Sequence, residues 1–423
     1  MVQLPPLHEA AYDAIVALHL VHGGSWHKLI RFVERLRGEG LRAALLVSRD
    51  APLGLQEGVD FDAALAERLA GLDVHVVSME TMRAVLDAVP CRVVLFCGGD
   101  DTKGAAAGHR LRDLAALAHA RGARTLQFSY VIDDFQYAGT TAVVLPHPVT
   151  LWFVLRHYRR HSCRDLPGAR RIFFGGNLLA APVCNAWTST VADRASLFAK
   201  YGLDPERPTC LWLPNRSDGA TGVYGAVLDA VRGAGMNLLV KLHPWEYKNK
   251  VHKFDPRFGG SATSADKWGC AEIEERDGSW AQRFCDVAVV AGSSVALEMP
   301  FWERPVAYVD PFYWCFGFVR SCAVRLDRVD QLGGLLAGPP PHPSPEDYAA
   351  ARGRMQPPGD AVELHVEAVK EVLEMPSATP PIGSMAEVER LFAGKVPWYV
   401  TAIGRRWDRV ARWARLALRS AGR

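Results

Sequence analysis

DAIVALHLVHGGSWHKLIRFVERLRGEGLRAALLVS, residues 13–48, decides the fold. Its opening DAIVALHL (13–20) is an apolar run of strand length. SWHKLIRFVERLRGEG (25–40) has the spacing of an amphipathic helix closed by glycine, and RAALLVS (42–48) is a second apolar strand. Two near-continuous apolar strands joined by a helix form a βαβ unit, whose sheet is parallel and covered on both faces.

The alternation continues on both sides of this unit. DVHVVSM (73–79), CRVVLFCGG (91–99), ARTLQFSY (123–130), AVVLP (142–146) and RRIFFGGN (170–177) read as further strands, with helical segments near 61–71, 80–89 and 105–121. A linker and the helical TVADRASLFAKYGLD (190–204) follow, and then a second series begins. TCLWLP (209–214), NLLVKLHP (237–244), CDVAVVAG (285–292) and RPVAYVD (304–310) are its strands, with helices near 221–234 and 294–301. The expected fold class is therefore α/β, with two tandem Rossmann-like domains facing a cleft. The expected boundaries are 1–176 for an acceptor domain and 177–336 for a nucleotide-donor domain. Residues 337–402 form a Pro-rich connection with closing helices near 360–374 and 385–393, and 403–423 a basic tail helix. AGPPPHPSPEDY (337–348) is expected as a surface loop.

Composition narrows the function classes. The 423 residues carry a net charge of +3, which gives no nucleic-acid signature. Nine cysteines without a C-x-x-C pair favour free thiols in a reducing compartment over a disulfide framework or zinc site. The N-terminal segment lacks the early basic residue and apolar core of a signal peptide. No run of about 18 apolar residues exists to span a bilayer.

In doubly wound sheets, ligands sit outside the carboxyl ends of the strands. NLLVKLHPWEYK (237–248) ends such a strand in Lys241, His243 and Pro244. AGSSVALEMPFWERPVAYVDPFYW (291–314) ends another in Gly292, Ser293 and Ser294. Glycine admits a ligand close to the backbone, and serines at a helix start offer hydroxyls beside free N–H groups, a pattern suited to phosphate. Glu298, four residues past Ser294, is expected one helical turn along the same face, where its carboxylate suits vicinal ribose hydroxyls. The same Ser-Ser pair would also serve as an ordinary N-cap. Arg216, just past TCLWLP, supplies a planar fork for phosphate, and His243 and Lys241 add donors. These seven residues form the expected donor site, with His243 also assisting the leaving group.

LPNRSD, KLHP, CDVAVVAGSSVALE and RPVAYVD, in that order, resemble the CDP-glycerol glycerophosphotransferases, enzymes of teichoic-acid-like polymers built on the two-Rossmann glycosyltransferase-B (GT-B) architecture. FFGGN resembles the entry to that family's nucleotide domain, so the likeness spans roughly residues 170–315. SSVALE with the later RPV and D-PFY is also similar to capsule-polysaccharide transferases. The resemblance implies transfer of a glycerophosphate or glycosyl group from a nucleotide-activated donor to a lipid-linked or glycan acceptor. It implies a place in cell-envelope polymer synthesis. A sugar-nucleotide epimerase on the same scaffold, or a non-catalytic nucleotide-sugar binder, stays open beside it.

An inverting transfer needs a group to take the acceptor's hydroxyl proton. Candidates at strand ends of the first half are His22 and His27, Asp100 and Asp101, and Asp133 and Asp134. His22 ranks first, because Gly23 and Gly24 open space beside it, and Asp133 second. Asp100 and Asp101 are adjacent without a partner cluster, so neither a metal nor another cofactor is expected.

From Arg405 onward the tail holds seven Arg and one Asp, about +6. At helical spacing Ile403, Trp407, Val410 and Leu418 share one face, and Arg405, Arg409, Arg412 and Arg415 share the other. Trp407, Arg409, Arg412 and Trp413 are the expected contacts with an anionic membrane surface. A cytoplasmic enzyme, peripheral at the inner face of the membrane, is the resulting expectation; a tail helix docked across the two domains and a solvated basic tail are the alternatives.

Overall fold

The computed structural model describes residues 7, 9–18, 26–48, 69, 71–97, 111–128, 140–146, 171–176, 178, 189, 191–214, 223–242, 270–274, 277–290, 293–309, 316–339, 341–355 and 357–377. Two parallel sheets emerge from them. The first contains β1 (Tyr12–Leu18), β2 (Ala43–Ser48), β3 (Val74–Val77), β4 (Cys91–Cys97), β5 (Arg124–Phe128), β6 (Ala142–Leu145) and β7 (Arg171–Phe174), in the order β3-β2-β1-β4-β5-β6-β7. The second contains β8 (Thr209–Leu213), β9 (Asn237–Val240), β10 (Cys270–Glu272), β11 (Val287–Val290), β12 (Val306–Tyr308) and β13 (Ala323–Arg325), in the order β10-β9-β8-β11-β12-β13. Both orders reverse direction beside the first strand of the series, between β1 and β4 and between β8 and β11. That reversal is the switch point of a Rossmann-type sheet.

Helices cover both faces because strand side chains alternate. In β1, Val16 and Leu18 join α1 (Trp26–Gly38), while Ile15 and Ala17 join α2 (Met79–Ala88) and α3 (Leu111–Ala120). In β8, Leu211 and Leu213 join α4 (Arg194–Tyr201) and α6 (Gly278–Phe284), while Trp212 joins α5 (Val223–Gly233). Local signals set several helix ends. Asp193 accepts from the Ser196 N–H at 2.7 Å and Ser196 Oγ from the Asp193 N–H at 3.0 Å, a capping box at the start of α4. Gly202, at φ 62°, closes α4 in the left-handed conformation that glycine adopts freely.

Further along lie α7 (Phe316–Val319), α8 (Gln331–Leu336), α9 (Pro345–Met355) and α10 (Ala361–Glu374). The Pro-rich stretch is thus not a loop throughout its length. Pro345 is the first residue of α9, where its missing N–H has no helical partner to lose, and Ser344 Oγ accepts from the Asp347 N–H at 3.2 Å. The edge strands β10 and β13 also lie outside the sequence expectation. Each is three residues long and half-exposed, too short for a periodic signal.

The chain returns to the first sheet in α10. Val362, Val366, Val369 and Val372 pack with Val93, Leu126 and Phe128 in one buried cluster. Arg35 pairs with Glu363 at 2.7 Å and Arg171 with Glu371 at 2.7 Å along the rim. At the inner end of this helix His365 is 2% exposed. Its ring packs edge-on to Phe128 at 4.8 Å between centroids, and its Nδ1 lies 2.7 Å from the Ala361 carbonyl oxygen. A Cβ on Gly175 would lie 2.8 Å from this ring, so glycine is what lets the end of β7 pass so close.

The cysteines Cys91, Cys210, Cys270, Cys285 and Cys322 are free thiols. Burial pushes Cys285 and Cys322 up to about 12, which leaves them unreactive. No helix among the described residues is long and apolar enough to cross a membrane.

Candidate functional site

The strand register brings the three expected strand ends of the second sheet side by side. Trp212 of β8 pairs with Val240 of β9, and Leu213 of β8 pairs with Val290 of β11. Beyond β9 the Lys241 N–H still donates to the Trp212 carbonyl at 3.0 Å. Lys241 therefore leaves the carboxyl edge from a fixed backbone, half-buried, with Leu242 buried behind it. The chain leaves β8 and β11 on either side of the switch point, towards Arg216 and Gly292 respectively.

After β11 the backbone forms two 3₁₀ turns, Ser294–Leu297 and Met299–Phe301, instead of the expected α-helix. Pro300 accounts for the difference. In an α-helix its nitrogen would have to donate to the carbonyl of residue 296, and its ring would clash there. Ser293 caps the first turn, its Oγ accepting from the Val295 N–H at 3.3 Å. Glu298 joins the two turns. Its N–H donates to Val295 at 2.9 Å and its carbonyl accepts from the Phe301 N–H at 3.1 Å. At three residues per turn instead of 3.6, the four-residue step from Ser294 to Glu298 makes more than one turn of backbone, not the single α-helical turn expected. Glu298 remains half-buried, next along the chain to the capped turn.

Lys241 thus follows β9, and Ser293 and then Glu298 follow β11, the two strands that flank β8. Ser294 lies in the first 3₁₀ turn, but its side chain lies outside the described residues, as do Arg216, His243 and Gly292. So do His22 and Asp133, which in chain order follow β1 and β5 of the first sheet, and Trp407, Arg409, Arg412 and Trp413 of the tail. Among the described residues no trio of His, Cys, Asp or Glu side chains is grouped to hold a metal.

A second polar cluster borders this edge and escaped sequence reasoning. Asp277 has a fully buried side chain. It accepts from Ser189 Oγ at 2.5 Å, Tyr201 OH at 2.6 Å and Lys200 Nζ at 2.7 Å. Burial, with the Asp277 carboxylate second, raises the Tyr201 phenol well above its usual range. Asp277 stands at the N-cap of α6, yet its side chain makes no capping bond because it is turned into this cluster. Asp277 is of a residue type that suits a helix N-cap. Its partners lie 76 to 88 residues away, beyond any local signal.

No protein-family model matches the chain. No curated protein matches it in sequence either. Solved structures do share its fold. The MnaA protein of S. aureus, in a co-structure with UDP, aligns over 88% of this chain and 100% of its own at 12% identity, with a TM-score of 0.56. The UDP-GlcNAc 2-epimerase of Neisseria meningitidis, bound to UDP-GlcNAc, aligns over 85% and 100% at 10% identity, with a TM-score of 0.54. The wall teichoic acid polymerase TagF aligns over 86% and 89% at 11% identity, with a TM-score of 0.52. At these identities the likeness is one of fold: two Rossmann-like sheets of GT-B type.

Proposed function

We propose that this chain is a GT-B-type transferase that takes a nucleotide-activated donor at the carboxyl edge of its second sheet. It passes a glycerophosphate or glycosyl group to a lipid-linked or glycan acceptor of a cell-envelope polymer. The observation that carries this reading is the placement of Lys241 after β9 and of the Ser293-capped turn, with Glu298 next to it, after β11, the two strands on either side of β8 in the second sheet. A cation, a capped turn and a carboxylate in that order suit phosphate at one end and ribose hydroxyls at the other. Arg216, His243, Gly292 and Ser294 complete the donor site in this proposal. The acceptor oxygen bonds to the transferred carbon or phosphorus while the bond to the nucleotide's phosphate oxygen breaks. The hydroxyl proton passes to His22, with Asp133 as the alternative base; turnover of the two alanine variants ranks them.

Glu298→Ala is expected to weaken donor binding by the worth of a charge-assisted hydrogen bond, about 1.5–3 kcal/mol. Calorimetry with CDP-glycerol, UDP-GlcNAc, UDP and CDP reads this. Unchanged affinity in a folded variant leaves Glu298 a turn residue only.

A second reading, epimerisation of a sugar nucleotide, is favoured by the likeness to the N. meningitidis 2-epimerase. Incubation with UDP-GlcNAc in D₂O separates the two: deuterium uptake at the sugar carbon without nucleotide release supports the epimerase. Acceptor-dependent nucleotide release supports the transferase.

The tail 403–423 belongs to the transferase reading, because a lipid-linked acceptor is met at a membrane. Each Arg near an anionic surface contributes about 1 kcal/mol, less as salt rises. Full-length protein should pellet with anionic vesicles at low salt, and protein lacking 403–423 should not. Equal pelleting of the two removes the tail from membrane contact.

A further inference from the structure

Lys241 does not wave freely from the carboxyl edge. A Cβ built on Gly278, the first residue of α6, would lie 2.6 Å from Lys241 Cε, 3.1 Å from Cδ and 3.6 Å from Nζ. The lysine stem therefore lies directly across the bare backbone of a buried glycine. Its root is held by the bond from the Lys241 N–H to Trp212. Its bed is held by the neighbouring Asp277, whose three hydrogen bonds tie it to Ser189, Lys200 and Tyr201. Clamped at the root and seated along the stem, the side chain has already lost much of the rotamer freedom that a lysine surrenders when it binds an anion.

We infer that Gly278 is a positioning residue, the seat that presents the Lys241 ammonium to an anionic phosphate group of the nucleotide ligand. The inference rests on the donor-site reading above. Any side chain at position 278 would evict the lysine stem and spoil the presentation.

Gly278→Ala is a clean probe. Gly278 is not among the described glycines with positive φ, so alanine fits its backbone, and alanine is the better helix former. What must yield is the far end of the lysine, so the melting temperature should hold or rise. Two readouts on the full chain test the inference. Brief acetylation with acetic anhydride, read by peptide mass spectrometry, should modify Lys241 faster in Gly278→Ala than in the wild type. Calorimetry with UDP and CDP should show affinity lower by about tenfold to a hundredfold, the worth of one charge-assisted contact. Lys241→Ala should lose as much, the double variant no more than either, and the salt dependence of binding should flatten in all three.

Unchanged Lys241 acetylation in Gly278→Ala would overturn the seat. Faster acetylation with undiminished UDP and CDP binding would overturn its role towards an anion, while a loss in Glu298→Ala would still uphold the donor site. A wild-type chain that binds neither nucleotide would fail the donor-site reading itself, and the inference with it.

Discussion

Asp277→Ala is expected to lower the unfolding free energy by about 3–5 kcal/mol, the cost of removing one partner from a buried ion pair. The carboxylate is wholly removed from water and holds three donors between 2.5 and 2.7 Å. Without it the Tyr201 hydroxyl loses the carboxylate it donates to, Ser189 Oγ is left with the Val191 carbonyl oxygen at 3.3 Å, and Lys200 loses its 2.7 Å carboxylate while Glu274 stays at 3.2 Å. Lys200 is about a quarter exposed, which draws the loss towards the lower end. Asp277→Asn keeps hydrogen-bonding capacity and gives up the charge, so it should fall between alanine and wild type. Urea unfolding of the three proteins measures the series. A loss below about 1 kcal/mol for the alanine variant would mean that the cluster contributes no more than an ordinary hydrogen bond. Ser189 precedes α4 in the segment that joins the two sheets, so the same substitution removes a tie between that segment and α6.

Acidification should undo the docking of α10. Burial lowers the His365 pKa from about 6.5 to about 4. The folded state therefore holds the imidazole neutral where the unfolded chain would already bind a proton. The sign follows from linkage: this contribution is complete above about pH 6.5, falls as pH drops towards 4, and levels off below. At 1.36 kcal/mol per unit, the loss across that window is about 3 kcal/mol. A protonated ring would sit among Phe32, Phe128 and the Gly175 backbone, an apolar setting that disfavours its charge. His365→Asn removes the titration while keeping a donor near the Nδ1 position. The difference between wild-type and variant stability should change by about 3 kcal/mol between pH 7 and pH 4, read by urea unfolding at each pH. Parallel profiles would show that His365 does not govern this part of the acid response.

Much of the architecture is written locally. The β1 run is buried at all seven positions, and helical segments alternate with runs of the same kind, so a parallel, doubly covered sheet follows from apolar spacing alone. The Asp193 capping box and Gly202 act within a single helix, which is why such boundaries can be read without a structure. The Ser293 cap and the nearness of Lys241 and Glu298 to strand ends are legible for the same reason. Pro300 breaking the helix after β11 and Pro345 opening α9 are local effects too, carried by proline's missing N–H; reading them needs the position within the helix as well as the residue. Strand order is different in kind. That β11 lies beside β8, placing the turn at Ser293 and the end of β9 along one edge, depends on hydrogen bonds between residues some 77 positions apart. The return of α10 to the first sheet depends on apolar faces meeting across more than 200 residues. The seating of Lys241 on Gly278 and the closure of Asp277 around Lys200 and Tyr201 depend on which helix start each strand end meets. The sequence by itself determined the longer strands, the helices between them, several helix ends and the chemical types at the edge, because those follow from periodicity and capping within a few residues; the short edge strands and the short helices of the second half carry too few residues for such a signal. Only the tertiary structure decided which of those residues share a site, because proximity across a sheet is set by packing between elements that carry no local record of one another.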